Sequence, residues 1–408
     1  MSEDQPDRKQ SGFKDKTRVG EARERLLDAV VSHDRTEEVP LSSADGRLLA
    51  EEVVAERNVP HYPRAAMDGY AVRAEDTFGA SDRSPEVLRQ SEQLTPDSAV
   101  RVHTGSELPD RANAVVMIEQ VDEFGDEVEI FDAVAEGENV APVGEDVAEG
   151  QHLYDPGHRL RPSDLGLLKS VGVETVAVRE RPAVGVIPTG EELVQSNPGP
   201  GEVVETNGLT ISRYVERWGG DATYRDVVTD DPEALRTAIQ RDLTKDVVVT
   251  TGGSSVGERD LLPEVVADLG EILFHGVALK PGHPVAVGVV EETPVVMLPG
   301  YPVACIINAV QFLRPALKRV GGLPESDFPT TEALLDRKIR SEPGIRTFAR
   351  VQLGENDEGA TTATPTRASG SGVLSSVALA DGWVEVPEGR EGIPEGETVS
   401  VQDWEWSA

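Results

Sequence analysis

One stretch of the sequence indicates how this chain folds: VVVTTGGSSVGERD, from Val247 to Asp260. A short run of β-branched residues leads into a glycine-rich turn, and an acidic residue stands where the next helix is expected to begin. Small residues let backbone N–H groups approach an anion closely, and a helix N-terminus adds a favourable dipole. The loop matches neither the Walker A motif nor the dinucleotide-binding GxGxxG motif. We interpret it as an anion or phosphate cradle of another kind.

The charge balance is strongly acidic, since 74 Asp and Glu residues against 39 Lys and Arg residues give a net charge of −35. Only eight of the basic residues are Lys. We interpret this composition as a surface kept solvated in the high salt of a halophile cytosol. The alternative is an acidic protein that binds cations or is disordered, but regular apolar periodicity argues against disorder. Without a basic patch, nucleic acid is not an expected partner.

Cys305 is the only cysteine, so no intrachain disulfide can form and a reducing compartment is expected. It lies in the apolar helical run ACII, and we expect a buried structural thiol rather than a nucleophile. No apolar stretch approaches the length of a membrane span, and no signal peptide is visible. These features predict a soluble, cytoplasmic protein without a membrane partner.

The patterns predict a multidomain fold of α/β and β parts. Residues 64–140 show short strands with Gly and Asp turns, which indicates an inserted, mostly β domain. Residues 18–63 and 141–180 are expected to form one discontinuous N-terminal linker domain, in which a helix at Val19–Val31 packs against a helix at Ser163–Val171. Residues 326–408 return to short strands and glycine turns, which is typical of a small β barrel.

Residues 181–325 alternate between strand and helix patterns. Strands are predicted at 183–187, 222–228, 246–250, 284–290 and 294–298, and helices at 207–218, 232–243, 261–268 and 302–319. This alternation predicts a doubly wound α/β domain of βαβ units, with a parallel sheet covered on both faces. Ligands of such sheets bind at the carboxyl ends of the strands. The loops at 188–192, 252–260 and 299–302 follow three strand ends and are expected to converge on one edge.

Several carboxylates near these loops are candidate ligands. Asp260 is either a helix N-cap or a ligand for a cation or phosphate. Asp230 and Asp231 precede Pro232 at a helix start, where capping needs only one carboxylate and the other is left for a metal. Glu192 either contributes to the site or is a solvated glutamate of a first turn.

Lys280 stands in the proline-glycine turn Leu279–Pro284 of a chain that otherwise favours Arg. A compact ammonium group suits an oxyanion, although an ordinary surface lysine is the alternative. His283 in the same turn either assists or has no role.

Other motifs leave both structural and functional interpretations open. The segments at Met67–Tyr70 and His103–Ser106 are ordinary turn signals when taken singly. Ser369–Gly372 is either a flexible turn or a further anion nest. No His and Cys cluster has zinc-ligand spacing, and no Gly-x-Ser-x-Gly elbow is present. Local chemistry therefore predicts an anionic, phosphate-bearing ligand together with a divalent ion.

In their order along residues 19–403, seven motifs resemble the molybdopterin molybdenumtransferases, the MoeA-like family that includes the E domain of gephyrin. The motifs are Ala66–Ala71, Thr104-Gly105, Pro188–Leu193, Asp230–Pro232, Thr251–Asp260, Lys280–Gly282 and Leu298–Val303. With the acidic composition, the resemblance indicates a haloarchaeal member.

The resemblance implies an elongated, four-domain homodimer with its active site between subunits. It implies insertion of molybdate, or of the similar tungstate, into adenylylated molybdopterin, with release of AMP and assistance from Mg²⁺. The implied catalytic residues are Asp68, Glu192, Asp260 and Lys280, and the implied Mg²⁺ ligands are Asp230 and Asp260. The implied substrate-binding residues are Thr104, Gly252, Gly253, Ser254, Gly257, His283 and, as a looser match, Ser371. Asp68 and Thr104 would come from the second subunit.

Two residues depart from the family pattern. His283 stands where a second lysine is frequent, which removes a permanent positive charge. Tyr301 stands where an asparagine is frequent, but it leaves the Pro-Gly-x-Pro turn intact. Two other functions share the fold: a molybdopterin adenylyltransferase, and a scaffold that binds and delivers finished cofactor. The inserted and C-terminal domains argue against the adenylyltransferase, which resembles the α/β domain alone.

Overall fold

The computed structural model describes residues 16–252, 261–366 and 372–406. The described chain forms two compact units: residues 36–179, and residues 16–35 together with those after 179. Within the described ranges, no helix is long and apolar enough to cross a membrane. The cytoplasmic location stays a prediction.

Residues 36–179 begin and end in the same small domain. Its main elements are Thr36–Pro40, Val53–Val54, His152–Tyr154, the helix Pro162–Ser170 and Thr175–Arg179. The first strand pairs antiparallel with the last, and the second pairs with the third. Apolar side chains from both segments, including Leu49 and Leu168, share one core. Two separated stretches of chain therefore build a discontinuous domain, as predicted.

Between these two stretches lies the inserted β domain. Its six-stranded sheet has the spatial order Ala114–Met117, Gly69–Val72, Ser98–Val102, Glu86–Gln90, Glu127–Ile130 and Val121–Phe124, with the short pair Arg64–Ala65 and Val140–Ala141 beside it. Gly69 is required by close packing, because a Cβ there would lie 1.9 Å from the carbonyl oxygen of Val116 on the next strand. The mostly β character predicted for this segment is confirmed.

The α/β domain contains one six-stranded sheet and its covering helices. Its strands are β1 (Ala183–Pro188), β2 (Asp221–Tyr224), β3 (Val247–Thr251), β4 (Glu271–His275), β6 (Ala286–Val290) and β7 (Thr293–Leu298), while β5 (Leu279–Lys280) pairs elsewhere. Its helices are α1 (Val19–Ala29), α2 (Asn207–Arg217), α3 (Pro232–Asp242), α4 (Leu261–Leu269), α5 (Pro302–Asn308) and α6 (Arg314–Val320). Buried side chains form one cluster on each face of this doubly wound sheet.

The strand order is β2-β1-β3-β7-β6-β4, and the first four strands form parallel pairs. The expectation of a wholly parallel sheet was wrong for β6, which pairs antiparallel with both β7 and β4, while β4 runs in the same direction as the first four strands. Only Glu291 and Glu292 connect β6 to β7, and so short a connection permits a hairpin but no crossover. The sequence prediction also missed β4.

Two helix predictions need correction. Val19, Ala22 and Leu26 of α1 lie in the core of the α/β domain, so the packing against Ser163–Val171 was wrong. The helix predicted at 302–319 is divided by a π-helical turn at Ala309–Leu313. Pro315 lacks an N–H and cannot donate to the preceding turn, which accounts for the wider turn there.

The C-terminal residues close into a small barrel, as predicted. Its strands are β8 (Thr330–Leu335), β9 (Arg346–Glu355), β10 (Thr361–Pro365), β11 (Gly382–Val386) and β12 (Thr398–Gln402). The sheet order β9-β10-β8-β12-β11 returns to β9, which pairs with β11, so the ring is closed. Strand β5 of the α/β domain adds to β9 from outside. Smaller elements are Leu193–Val194 with Val203–Val204, Ile339–Arg340 with Gly392–Ile393, and the helical turn Ser375–Ala378.

Candidate active site

The carboxyl ends of β1, β3 and β7 lie side by side. Pro188 stands opposite Thr251, and Thr251 stands opposite Leu298. The backbone N–H of Gly252 donates to the carbonyl oxygen of Leu298 at 3.0 Å. The three loops that the sequence predicted to converge therefore leave one edge of the sheet together.

Gly252 lies where two of these loops approach most closely. Its φ is +141°, and a Cβ there would lie 2.3 Å from the carbonyl oxygen and 2.9 Å from the hydroxyl oxygen of Thr189. A larger residue would push the β1 and β3 loops apart. The described part of the cradle therefore begins with a glycine that geometry requires.

Three threonine hydroxyl groups are buried at this edge. Thr189, Thr250 and Thr251 are each at most 2% exposed. Within the described ranges, their hydroxyl oxygens have no hydrogen-bond partner. A buried hydroxyl without a partner is costly, so such atoms indicate a place where a ligand or water binds. The sequence analysis missed them because threonine in a β-branched strand looks like an ordinary strand former.

Asp230 and Asp231 lie beside the same edge. Val228, two residues before Asp230, forms an isolated β-bridge with Thr189. The N–H of Gly190 donates to the carbonyl oxygen of Val228 at 3.1 Å. The carboxylate of Asp231 accepts from two backbone N–H groups of α3 at 3.1 and 2.9 Å, so it is the N-cap and the expected capping by one carboxylate is confirmed. Asp230 is half-buried, and its role as a metal ligand stays a prediction.

Glu192 is exposed and folds back over its own loop. A Cβ at Gly190 would meet the carboxylate of Glu192 at 3.0 Å. The carbonyl oxygen of Glu192 accepts from the N–H of Val203 at 2.8 Å. The loop after β1 is thus fixed through its backbone, while the carboxylate faces solvent near the carboxyl ends of the strands.

Glu205, just before α2, and Asn207, its first residue, also belong to this edge. The side-chain amide of Asn207 donates to the carbonyl oxygen of Gly300 at 2.7 Å. Glu205 is 6% exposed, and its carboxylate accepts from the N–H of Gly208 at 2.6 Å and from the hydroxyl of Tyr224. The sequence analysis missed both residues. The run Glu205-Thr206-Asn207 before a predicted helix was the available signal.

Lys280 ends β5 and forms an exposed ion pair with Glu342 at 2.9 Å. The hydrogen bond from Lys280 lowers the pKa of Glu342. The side chain of His283 is exposed, and partial desolvation, with a smaller contribution from Lys16, lowers the pKa of its ring. His283 is therefore neutral at pH 7, which agrees with the loss of a permanent charge inferred from the sequence.

Arg350 is a second cation of this region that the sequence analysis missed. It lies on β9, the strand that pairs with β5, and it is 8% exposed. Burial lowers the pKa of its guanidinium group. The N–H of Thr366, the last described residue before Ser371, donates to the carbonyl oxygen of Arg350 at 2.9 Å. A buried positive charge in this position is a candidate for binding an anion.

In the other compact unit, the structure brings Asp68 and Thr104 together. The N–H of Thr104 donates to Asp68 Oδ1 at 2.6 Å, and its hydroxyl donates to the same oxygen at 2.9 Å. Both hydrogen bonds lower the pKa of Asp68, and the bond from the backbone N–H has the larger effect. His103 Nδ1 lies 3.9 Å from Asp68 Oδ1. Asp68 is therefore held as an exposed carboxylate.

Five of the predicted site residues lie outside the described ranges: Gly253, Ser254, Gly257, Asp260 and Ser371. Gly372 is described, and a Cβ there would lie 3.2 Å from the ring of Tyr301. The N–H of Cys305 donates to the carbonyl oxygen of Tyr301 at 2.8 Å, so the turn before α5 is formed with tyrosine in place of asparagine. Cys305 is fully buried and burial raises its pKa, as expected of a structural thiol.

Three family models match successive parts of this chain. The model of the MoeA N-terminal region (domain I and II) matches residues 17–172, that of a probable molybdopterin binding domain matches 185–319, and that of the MoeA C-terminal region (domain IV) matches 332–404. A molybdopterin molybdenumtransferase of Bacillus subtilis is 32% identical over 400 residues, covering 91% of this chain and 92% of the relative. The chain belongs to the MoeA family of molybdopterin molybdenumtransferases.

Other members of the MoeA family agree in length and fold. Molybdopterin molybdenumtransferase 2 of Mycobacterium tuberculosis is 33% identical, covering 90% of this chain and 94% of the relative. The crystal structure of a molybdopterin biosynthesis MoeA protein from Pyrococcus horikoshii is 35% identical, with a TM-score of 0.79 over 95% of this chain and 99% of that one. Membership of the MoeA family makes this chain a transferase.

Proposed function

We propose that the protein inserts molybdate into adenylylated molybdopterin and releases AMP, the last step of molybdenum cofactor synthesis. The observation that carries the proposal is that three buried threonine hydroxyls at the carboxyl edge of the sheet have no hydrogen-bond partner among the described residues. These hydroxyls stand in a chain that carries all three parts of MoeA. Hydroxyl groups and backbone N–H groups are neutral donors suited to an anionic phosphate.

We propose that the site binds Mg²⁺ of the kind that nucleotides bring with them. Among the described residues, no group of three or more His, Cys, Asp or Glu side chains is placed to hold a metal. Mg²⁺ at phosphates is commonly held by one or two carboxylates, with the remaining ligands from phosphate and water. We assign these carboxylates to Asp230 and Asp260. Bound there, Mg²⁺ would polarise the phosphoanhydride.

The protein side chains have three tasks in this proposal. Lys280 offsets the charge of the oxyanion, and the neutral ring of His283 contributes a hydrogen bond without a charge. Glu192 orients the attacking oxygen. We further propose a homodimer, in which Asp68 of the partner subunit faces this edge and is held there by Thr104 of the partner subunit.

Release of AMP from adenylylated molybdopterin, measured by chromatography with molybdate or tungstate present, tests the proposal. Asp230→Asn should lower the rate about 100-fold, as expected for loss of a metal ligand. Asp231→Asn is the matched control, because Asn is an equally good N-cap, and its rate should stay near that of the wild type. Equal rates for both variants would contradict the assignment of Asp230.

The same assay separates the alternative functions. A molybdopterin adenylyltransferase would release pyrophosphate from ATP and molybdopterin. A delivery scaffold would bind adenylylated molybdopterin without releasing AMP. Either result from the wild-type protein would overturn the proposed reaction.

A further inference from the structure

A single buried amide connects two loops of the candidate site. Asn308 is the last residue of α5 and is 0% exposed. Its side-chain Nδ2 donates to the carbonyl oxygen of Gly282 at 2.9 Å and to that of Ala304 at 2.8 Å. Gly282 belongs to the turn after Lys280, and Ala304 lies in the first turn of the helix that follows the Pro299–Pro302 turn. The amide therefore joins elements that are distant in sequence.

Gly282 leaves the space that this contact needs. Its φ is +114°, and a Cβ there would lie only 2.2 Å from Asn308 Nδ2. The side chain of Asn308 occupies the place that any larger residue at position 282 would fill. Glycine and asparagine are thus complementary at this contact.

The surroundings argue that the amide has a purpose besides stability. Neighbouring residues of α5, including Ile306 and Ile307, are buried and apolar. Among the described residues, Asn308 Oδ1 has no hydrogen-bond partner, which is a costly state for a buried amide. Leucine, which has the same branched shape, would match these apolar neighbours but would leave the carbonyl oxygen of Gly282 without this donor. Retaining an asparagine here is explained by the two carbonyl groups that it binds.

We infer that Asn308 is a positioning residue for Lys280, an inference that rests on the proposed function of Lys280. Pairing of Lys280 with Thr347 on β9 fixes the backbone on one side of the lysine. The bond from Asn308 to Gly282 fixes it on the other side. Held at both ends, the backbone of Lys280 presents its ammonium group, which pairs with Glu342, to an oxyanion from one fixed origin.

Two variants separate the two hydrogen bonds. Asn308→Thr keeps a donor that can reach the carbonyl oxygen of Ala304, four residues earlier in the helix, but its short side chain cannot reach Gly282. Asn308→Leu removes both donors. We expect each variant to raise the KM for molybdate and the molybdate Kd from isothermal titration about tenfold, with kcat at saturating molybdate unchanged.

Thermal unfolding tests the alternative of a purely structural role. The positioning role predicts that Asn308→Leu binds molybdate more weakly even at a temperature where the variant is fully folded, whatever its melting temperature. A lower melting temperature with unchanged molybdate Kd and KM would overturn the inference.

A double-mutant cycle with Lys280→Ala shows whether Asn308 acts through the lysine. Adding Asn308→Thr to Lys280→Ala should leave the molybdate Kd where Lys280→Ala alone has put it. A further tenfold loss would show that Asn308 acts independently of Lys280 and would overturn the inference. Failure of the proposed function is distinguishable, since the wild-type protein itself would then neither bind molybdate nor release AMP.

Discussion

Replacing Gly252 with alanine should separate the β1 and β3 loops, and the structure gives the cost. The new Cβ would lie 2.3 Å from the carbonyl oxygen of Thr189, far inside ordinary contact. Holding a non-glycine residue at a positive φ costs about 1–2 kcal/mol, and relieving an overpacked contact costs about 1–3 kcal/mol. The free energy of unfolding should therefore fall by about 2–5 kcal/mol. For a cooperative unit of this size, Tm should fall by roughly 5–15 °C.

Gly300→Ala is the matched control for this prediction. Gly300 lies at the same edge, but its nearest contact would be Gly252 Cα at an ordinary 3.6 Å, and its φ is not in the left-handed region. Thermal and urea unfolding of both variants in one buffer of constant KCl concentration would measure the difference. If Gly252→Ala unfolded with the same Tm and urea midpoint as Gly300→Ala, the close approach of the two loops would be refuted.

Three further predictions concern catalysis, pH and salt. Asp68→Ala should lower AMP release about 100-fold with only a small fall in Tm, because its hydrogen bonds with Thr104 are exposed to solvent; a large fall in Tm would show a structural role. Hydrogen bonds from Arg161 and then His158 hold the pKa of Asp164 well below its ordinary value, so their stabilisation is fully present above about pH 4 and is lost at lower pH. The difference in unfolding free energy between wild type and Asp164→Asn should therefore shrink from pH 7 to pH 3, and a constant difference would contradict this. A net charge of −35 repels itself, and raising KCl from about 0.1 M to about 1 M shortens the screening length from about 10 Å to about 3 Å. Tm should therefore rise with KCl, and an unchanged or lower Tm would contradict this.

Local patterns predicted most of the elements, but the direction of strands depended on their connections. The runs that became β6 and β7 are apolar and β-branched, as buried strands of either direction are. Only the two-residue connection at Glu291 and Glu292 distinguishes a hairpin from a crossover. The partners of α1 were harder to predict, because an apolar helix face does not specify which core it joins.

Within the candidate site, backbone signals were easier to predict than side-chain contacts. Gly252 after β3 and the cap at Asp231 follow from conformational needs that act within a few residues. The buried hydroxyls of Thr189 and Thr250 became visible only when both strands were in place. Asn308 gave no signal either, because its partner Gly282 lies far away in sequence.

The contact of Asp68 with Thr104 shows what kind of information was missing. These residues are 36 positions apart, and each stands in a segment that is typical of an ordinary turn. Their strands are antiparallel neighbours, with Gly69 opposite Val102, so the residues just before one strand must meet those just after the other. Strand pairing alone therefore brings the aspartate and the threonine together, and the order of the family motifs indicated them only because related chains share that pairing. A carboxylate fixed by two hydrogen bonds needs no further contact to stay ionised and in place, which suits a residue that acts at a surface.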